Sequence, residues 1–453
     1  MKKFIQNIKN IWKVEELRKR IILTLSIILI YRIGSFIILP GVDYTVLQGV
    51  KPPEPGEGNM LETLLSLFTG GSFTNVSIMA LGIMPYISAS IIMQLLGMAV
   101  PAVQKMQQEG ESGRKRINNY TRILTIVICA FQAPTYITMY AANKTALIGN
   151  ANLSAFPHEA WSFTWLSAIV LLVAGAMFAV WLGERITDKG VGNGISLLIT
   201  VGILARLPES FMVEIGQESG NLIKIVLEIF AFMVVVLATI LIVQGVRKVP
   251  LNTAKRVVGA RAAEDQGARS YLPIKVNASG VMPIIFAQAI MTVPLMVFAG
   301  SDGFMTRVFG DIYGVGYNVA LAILIIVFTY FYTAIMINPR KIADELKRSG
   351  GFIPGIRPGE ETADYIDSLV SRITFPGSVF LALVAILPAF AAMAGVNGSF
   401  AMFFGGTSLL IMVGVVLDTL QQIESYLLNR QMDGLMEGTR MKGRRTQGEM
   451  SGM

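Results

Sequence analysis

Apolar stretches near the ~20 residues needed to cross a ~30 Å hydrocarbon core recur along this chain, and they constrain its fold more than any other feature. Nine fall roughly at 21–39, 75–98, 123–141, 163–182, 222–245, 276–299, 317–337, 373–393 and 401–423. A tenth, Ile195 to Leu207, is short, flanked by Gly192-Asn193-Gly194 and Pro208, and can cross if its glycine-rich start lies inside protein. Hydrocarbon offers no partner for backbone polar groups, so apolar segments of this length read as helices. Composition agrees, with 53% hydrophobic and only 15% charged residues over 453 positions, against roughly 25% charged in a soluble domain. The expected class is all-α: a polytopic membrane protein with ten transmembrane helices.

Cationic segments resist translocation, so Lys and Arg orient the helices. With both ends inside, the inner segments carry 32 of the 38 Lys and Arg, and the outer loops carry Lys51, Lys144, Arg206, Lys224 and Arg307. Arg32 sits in the first span. About twenty residues rich in Lys and Arg precede that span, which ends at Leu39-Pro40-Gly41 without a small-residue cleavage pattern, so it is expected to be retained. The net charge of +8 is thus concentrated on one face, suited to anionic lipid headgroups, RNA phosphate or an acidic protein surface. Cys129 and His158 are each the only residue of their kind, which argues against a disulfide framework and a His/Cys metal site.

A cytoplasmic basic N-terminus (1–20) leads into an N-terminal half (21–208, spans one to five). A C-terminal half (209–424, spans six to ten) and a cytoplasmic tail (425–453) follow. An odd number of spans per half inverts one half relative to the other. Two inner loops, 246–275 and 339–372, are too long to be turns. The second contains Gly350-Gly351-Phe352-Ile353-Pro354-Gly355-Ile356-Arg357-Pro358-Gly359, and Pro358 restricts Arg357 to extended geometry. Either loop is a solvated connector or a docking surface. Outside, Met60 to Phe68 is a short amphipathic run ending at Gly70-Gly71, either lying on the surface or folding back into the membrane.

Intramembrane acids, bases or metal ligands mark membrane enzymes and ion-coupled transporters. Here Arg32, Glu228 and Asp418 are the candidates within or near spans, without a carboxylate pair or His relay, and GxxxxGK[ST] is absent. Structural pairing or snorkelling accounts for such charges. An enzyme or a secondary transporter for small solutes is therefore disfavoured. Ile83, Ile87 and Ile91 share one helical face, and Ile195 and Ile199 repeat the spacing. Alone, such a stripe reads as packing or lipid contact.

The blocks ALGIMPYISASIIMQLL (80–96), EGESGRKRINNYTR (109–122), GERITDKGVGNGISLLI (183–199), NPRKIADELKRSGGFIPGIRPGEETADYID (338–367) and FGGTSLLI (404–411) resemble the SecY family, central subunits of the bacterial Sec translocon. The resemblance covers essentially all ten spans. It implies a pore-forming subunit, not an enzyme and without a cofactor, in the bacterial cytoplasmic membrane. Two inverted five-helix halves would close like a clamshell around a central pore. Unfolded secretory polypeptides would cross it, and membrane segments would leave sideways between spans two and three on one side and seven and eight on the other.

The resemblance further implies a pore ring of Ile83, Ile87, Ile195, Ile199, Ile285 and Ile411. It implies polar lateral-gate positions at Ser88, Gln132 and Asn277, with Gly280 and Pro283 loosening the seventh span. The implied plug near 61–72 contains Leu61, Leu64, Leu65, Leu67, Phe68, Gly70 and Gly71. Partner docking would fall on Arg247, Lys248, Lys255, Arg256 and Arg357. Lys248 stands where many relatives have arginine, and the 246–275 loop is slightly longer; a lysine does not reproduce a forked contact. The implied partners are the small membrane subunits SecE and SecG, the SecA ATPase, the ribosome with its rRNA, signal peptides and nascent chains, YidC-type and SecDF-type accessory proteins, and anionic lipids.

Overall fold

The computed structural model describes residues 14–40, 42, 66, 68–137, 163–217, 222–253, 270–297 and 313–427. In chain order these form α1 (Glu15–Gly34), α2 (Met84–Ala99), α3 (Pro101–Gln108), α4 (Glu111–Tyr136), α5 (Phe163–Lys189), α6 (Gly194–Gln217) and α7 (Leu222–Val243). Strands β1 (Val246–Thr253) and β2 (Ser270–Lys275) precede α8 (Met282–Val297), α9 (Val315–Met336) and α10 (Pro339–Arg348). Strand β3 (Gly351–Phe352), α11 (Glu360–Met393), a single turn α12 (Gly398–Ala401) and α13 (Gly406–Leu427) complete the order.

The ten apolar stretches correspond to α1, α2, α4 to α9, α11 and α13. Among the described residues, six helices are long and apolar enough to cross a membrane by themselves, or seven if α2 and α3, bent by 104°, count as one span. The others fail that test for physical reasons. Helices α1 and α4 start with charged turns, Glu15 to Arg20 and Glu111 to Arg116, and α8 has only 16 residues within the described range. Helix α7 leaves Ile223, Val226, Leu227, Phe230 and Leu241 exposed, the lipid-facing surface a spanning helix requires.

Span boundaries differ from the sequence expectation, most clearly at α2 and α6. Helix α2 starts at Met84, not near residue 75, because residues 69–83 fold into turns. Gly70, Gly71 and Gly82 take positive φ there. Hydroxyls compete with the helical ladder: Ser72 Oγ donates to Thr69 O at 2.9 Å, Ser77 Oγ to Ser72 O at 3.2 Å, and Phe73 N to Thr69 Oγ1 at 3.2 Å. The returning chain pairs with the segment after α1, through Leu39 N to Val76 O and Ile78 N to Ile37 O, both 2.9 Å. Helix α6, expected to be short, instead runs through Pro208 to Gln217, which takes Arg206 out of the expected outer loop and into the helix.

Clustering divides the chain into two compact units, one of Met1–Pro53, Glu62–Arg206 and Val415–Met453, the other of Glu54–Leu61 and Leu207–Gly414. In the first, α2 packs on α4, and α5 packs on both α1 and α4. Its core gathers Leu39, Phe73, Val76, Cys129, Tyr136 and Leu172. Tyr136 donates its hydroxyl to Phe73 O at 2.7 Å while the two rings meet edge to face at 4.8 Å. A Cβ at Gly175 would collide with the Ile78 carbonyl, so α5 lies directly against the turn segment.

In the second unit, α9 packs on α8 and α11, and α10 on α11. Phe211, Phe232, Phe400 and Phe404 form an aromatic cluster. Beside it, Glu214 Oε2 accepts from Asn397 N, and Lys224 Nζ donates to Gly395 O, each at 2.9 Å. The otherwise helical architecture includes one small sheet that hydropathy did not anticipate, in strand order β2-β1-β3. It joins the two long inner loops: β1 pairs antiparallel with β2, as Lys248 with Pro273, and with β3, as Asn252 with Phe352.

Candidate functional site

Four of the six ring isoleucines belong to the first unit. Ile83 is the residue before α2, only 3% exposed, and Pro85 sets the helix start. Ile87 follows one turn later, half-buried, its N–H donating to Ile83 O at 3.1 Å. Ile199, in α6, is buried. Ile195 lies one residue into α6 and packs against α5, its Cγ1 2.9 Å from where a Cβ on Gly183 would stand. Two turns further along α6, Ile203 is fully buried beside Gly202, which touches the turn carrying Gly70. Ile203 continues the four-residue spacing of Ile195 and Ile199.

Ile285 and Ile411 belong to the second unit. Ile285 is half-buried in α8, and Ile411 is buried in α13. Thr407 Oγ1 donates to Gln288 Oε1 at 3.3 Å, tying the two helices together. Ile285 precedes Gln288 by three residues and Ile411 follows Thr407 by four, so each isoleucine lies about one turn from that tie. Ser408 Oγ donates to Met402 O and Gly405 O, which secures the start of α13.

Of the polar seam positions, Ser88 is half-buried and donates to Met84 O at 3.3 Å within its own helix, and Gln132 is exposed on α4. Asn277 accepts at Oδ1 from Ser279 Oγ at 3.4 Å. It sits with Gly280, at φ +64°, in the turn before α8, so Gly280 flexes the helix entrance, not its interior.

The plug positions Leu61, Leu64, Leu65 and Leu67 lie outside the described residues, whereas Ser66, Phe68 and Thr69 are buried. Gly70 and Gly71 have φ of +63° and +93°. Gly202 is what makes their seat possible: a Cβ there would lie 2.8 Å from Phe68 O and 3.3 Å from Gly70 N.

Lys255 and Arg256 also lie outside the described residues. Arg247 and Lys248 are exposed on β1, while Val249 and Leu251 further along the same strand pack with Ile274, Ile353 and Ile366. Arg357 stands before α11 with its side chain 88% exposed. Its 3.9 Å approach to Glu361 is too solvated to fix it. Its backbone is held instead, by Thr362 Oγ1 donating to Arg357 O at 2.8 Å. Elsewhere Arg122 forms a forked pair with Glu184 at 2.9 and 2.6 Å, joining α4 to α5. The hydrogen bond to Glu184, foremost, holds the Arg122 guanidinium above its ordinary value. The described residues contain no group of three His, Cys, Asp or Glu suited to a metal.

Comparison with known proteins accords with this geometry. The SecY family model matches residues 77–420. The protein translocase subunit SecY of Mycobacterium bovis is 39% identical over 448 residues, covering 96% of this chain and 99% of its own. That of Streptomyces scabiei is 39% identical over 437 residues, with 94% and 98% covered. Among solved structures, one described as that of a protein conducting channel superposes with a TM-score of 0.61 at 18% identity, covering 90% of this chain and 92% of the other. A second, in which the plug domain of SecY is described as stabilising the closed state and maintaining a membrane seal, gives 0.59 at 19% identity with the same coverage. A third, Sec61 in the canine ribosome-channel complex from the endoplasmic reticulum, gives 0.55 at 18% identity, again with that coverage.

Proposed function

Because the chain belongs to the SecY family, we infer that it passes unfolded secretory polypeptides across the bacterial cytoplasmic membrane and releases membrane segments sideways into the bilayer. It is the pore-forming subunit of a translocon and not an enzyme. What carries the reading is similarity to protein translocase subunits over nearly the whole chain. We propose that both termini are cytoplasmic, in line with the basic inner segments.

The physics of the site supports a passive conduit. A collar of isoleucines dewets when narrow and offers a moving polypeptide no specific grip. We propose Ile83, Ile87, Ile199, Ile285 and Ile411 as that collar. Ile195 is retained with them as a proposal, although its packing on Gly183 favours Ile203 as the second α6 contributor. Residues 61–72 act as the plug, and Ser88, Gln132 and Asn277 line a lateral seam whose neutral contacts, about 1 kcal/mol each, yield to an apolar signal helix. The basic sheet around Arg247 and Lys248, the loop residues Lys255 and Arg256, and Arg357 receive SecA or the ribosome, whose rRNA suits cationic side chains. SecE and SecG complete the channel; YidC-type and SecDF-type proteins and anionic lipids act at its periphery.

The test is a stalled secretory chain engaged in the reconstituted channel, with photoreactive probes at Ile87, Ile195, Ile199 and Ile203. Adducts at Ile87 and Ile199 are expected, with Ile203 labelled more strongly than Ile195. An engaged chain that labels none of the four would refute a central polypeptide path.

A further inference from the structure

Two arginines on different helices reach one short turn. Arg32, in the last turn of α1, donates from Nη1 to Gly70 O at 3.2 Å, and its Cζ lies 5.5 Å from the Phe36 ring centroid. Arg206, in α6, donates from Nη1 to Ser66 Oγ at 3.2 Å and from Nη2 to Thr74 Oγ1 at 2.9 Å. The three contacts bracket Gly70-Gly71, the two adjacent residues whose positive φ gives the turn its freedom. The fit leaves no slack: a Cβ on Gly70 would stand 2.7 Å from both Arg32 Nη1 and Gly202 Cα, and one on Gly71 would stand 3.5 Å from Arg206 Nε and Nη2.

A guanidinium keeps its charge in any protein environment, so within a span it must end on polar atoms. Here Arg32 and Arg206 each reach oxygens of the turn that carries the paired glycines. The acceptors Gly70 O, Ser66 Oγ and Thr74 Oγ1 are carbonyl and hydroxyl oxygens, which can take water or a local partner when the turn moves away. A carboxylate released in the same place would be left as a buried charge. Such contacts hold a segment firmly and still let it go.

Resting on the plug reading above, we infer that Arg32 and Arg206 are positioning residues for channel closure, latching the Gly70-Gly71 hinge so that the plug stays seated until a substrate arrives. Arg206 spans the hinge from Ser66 to Thr74 and fixes its two ends relative to each other; Arg32 fixes the hinge carbonyl to α1.

The test uses the full channel with its partner subunits in lipid vesicles and reads substrate-free ion leak for Arg32→Gln, Arg206→Gln, Arg206→Lys and deletion of 61–72, alone and combined. Losing a charge-assisted bond from the closed state should raise leak about tenfold in each Gln variant. Arg206→Lys, which keeps the charge but not the fork, should recover part of the seal. In the deletion background the substitutions should change nothing further, since the latch then has nothing to hold. If deletion raises leak but the Gln variants do not, the latch is refuted and the plug reading stands. Substitutions that add their full effect on top of the deletion mean the arginines support the fold instead, which also refutes the latch. A deletion that leaves leak unchanged refutes the plug reading and the latch together.

Discussion

Gly202 offers a single-atom test of how the hinge is seated. Its replacement by alanine adds one methyl group, 2.8 Å from Phe68 O and 3.3 Å from Gly70 N, both backbone atoms that cannot rotate aside. Overpacking of this kind costs about 1–3 kcal/mol. The penalty falls on the seated conformation alone, because a displaced hinge leaves the methyl unopposed. Alanine also favours the α6 helix by up to about 1 kcal/mol, but equally in both conformations, so that gain cancels from the difference. A bias of about 1–3 kcal/mol shifts the seated-to-displaced ratio roughly 5- to 150-fold. The measurement is ion leak through the reconstituted, substrate-free channel, with export of a signal-defective precursor as a second readout. Gly216→Ala is the control, since nothing lies within 4 Å of its added atom in the same helix. Leak from Gly202→Ala no higher than from this control, at equal amounts of inserted channel, would show that the close approach does not bear on closure.

Two further substitutions address the collar and the docking loop. Ile83→Asn and Ile411→Asn place an amide at positions 3% and 7% exposed; they should wet the constriction, raise ion leak and admit precursors with defective signals, and unchanged conductance with unchanged selectivity would sink the collar assignment. Arg357→Glu reverses a charge on an 88% exposed side chain, so stability should change by less than about 0.5 kcal/mol while ATPase-driven export is abolished and membrane insertion of the channel persists; normal export into vesicles would refute docking at this loop.

The spanning helices were legible in the sequence because their signal is local: twenty apolar residues announce themselves without reference to any other part of the chain. What escaped depends on distant partners or on competition within a few residues. Residues 75–83 are apolar enough to extend α2, yet Thr69, Ser72 and Ser77 bind their own backbone and the chain pairs with Ile37 and Leu39. Pro208 reads as a terminator, but α6 continues through it, and a cation assigned to an outer loop turned out to be the helical Arg206. The pairing of β1 with β3 joins residues about a hundred positions apart, which no window of sequence contains. At the site, Ile83, Ile199 and Ile411, named from the family blocks, are buried, but a four-residue period alone cannot choose between Ile195 and Ile203. Ile195 packs on Gly183, while Ile203 is buried next to Gly202, the residue that meets the turn carrying Gly70.

The small sheet separates two properties that are often entangled. Its ladder is made of main-chain bonds, and its inner face is secured by Val249, Leu251, Ile274 and Ile353. The exposed side chains of Arg247 and Lys248 add to neither, since these residues join the ladder through their main chain alone. Mutation can therefore redraw the exposed charge pattern while the scaffold beneath keeps its shape, and, with docking on this sheet as proposed, a lineage can exchange or retune its driving partner without rebuilding the conduit.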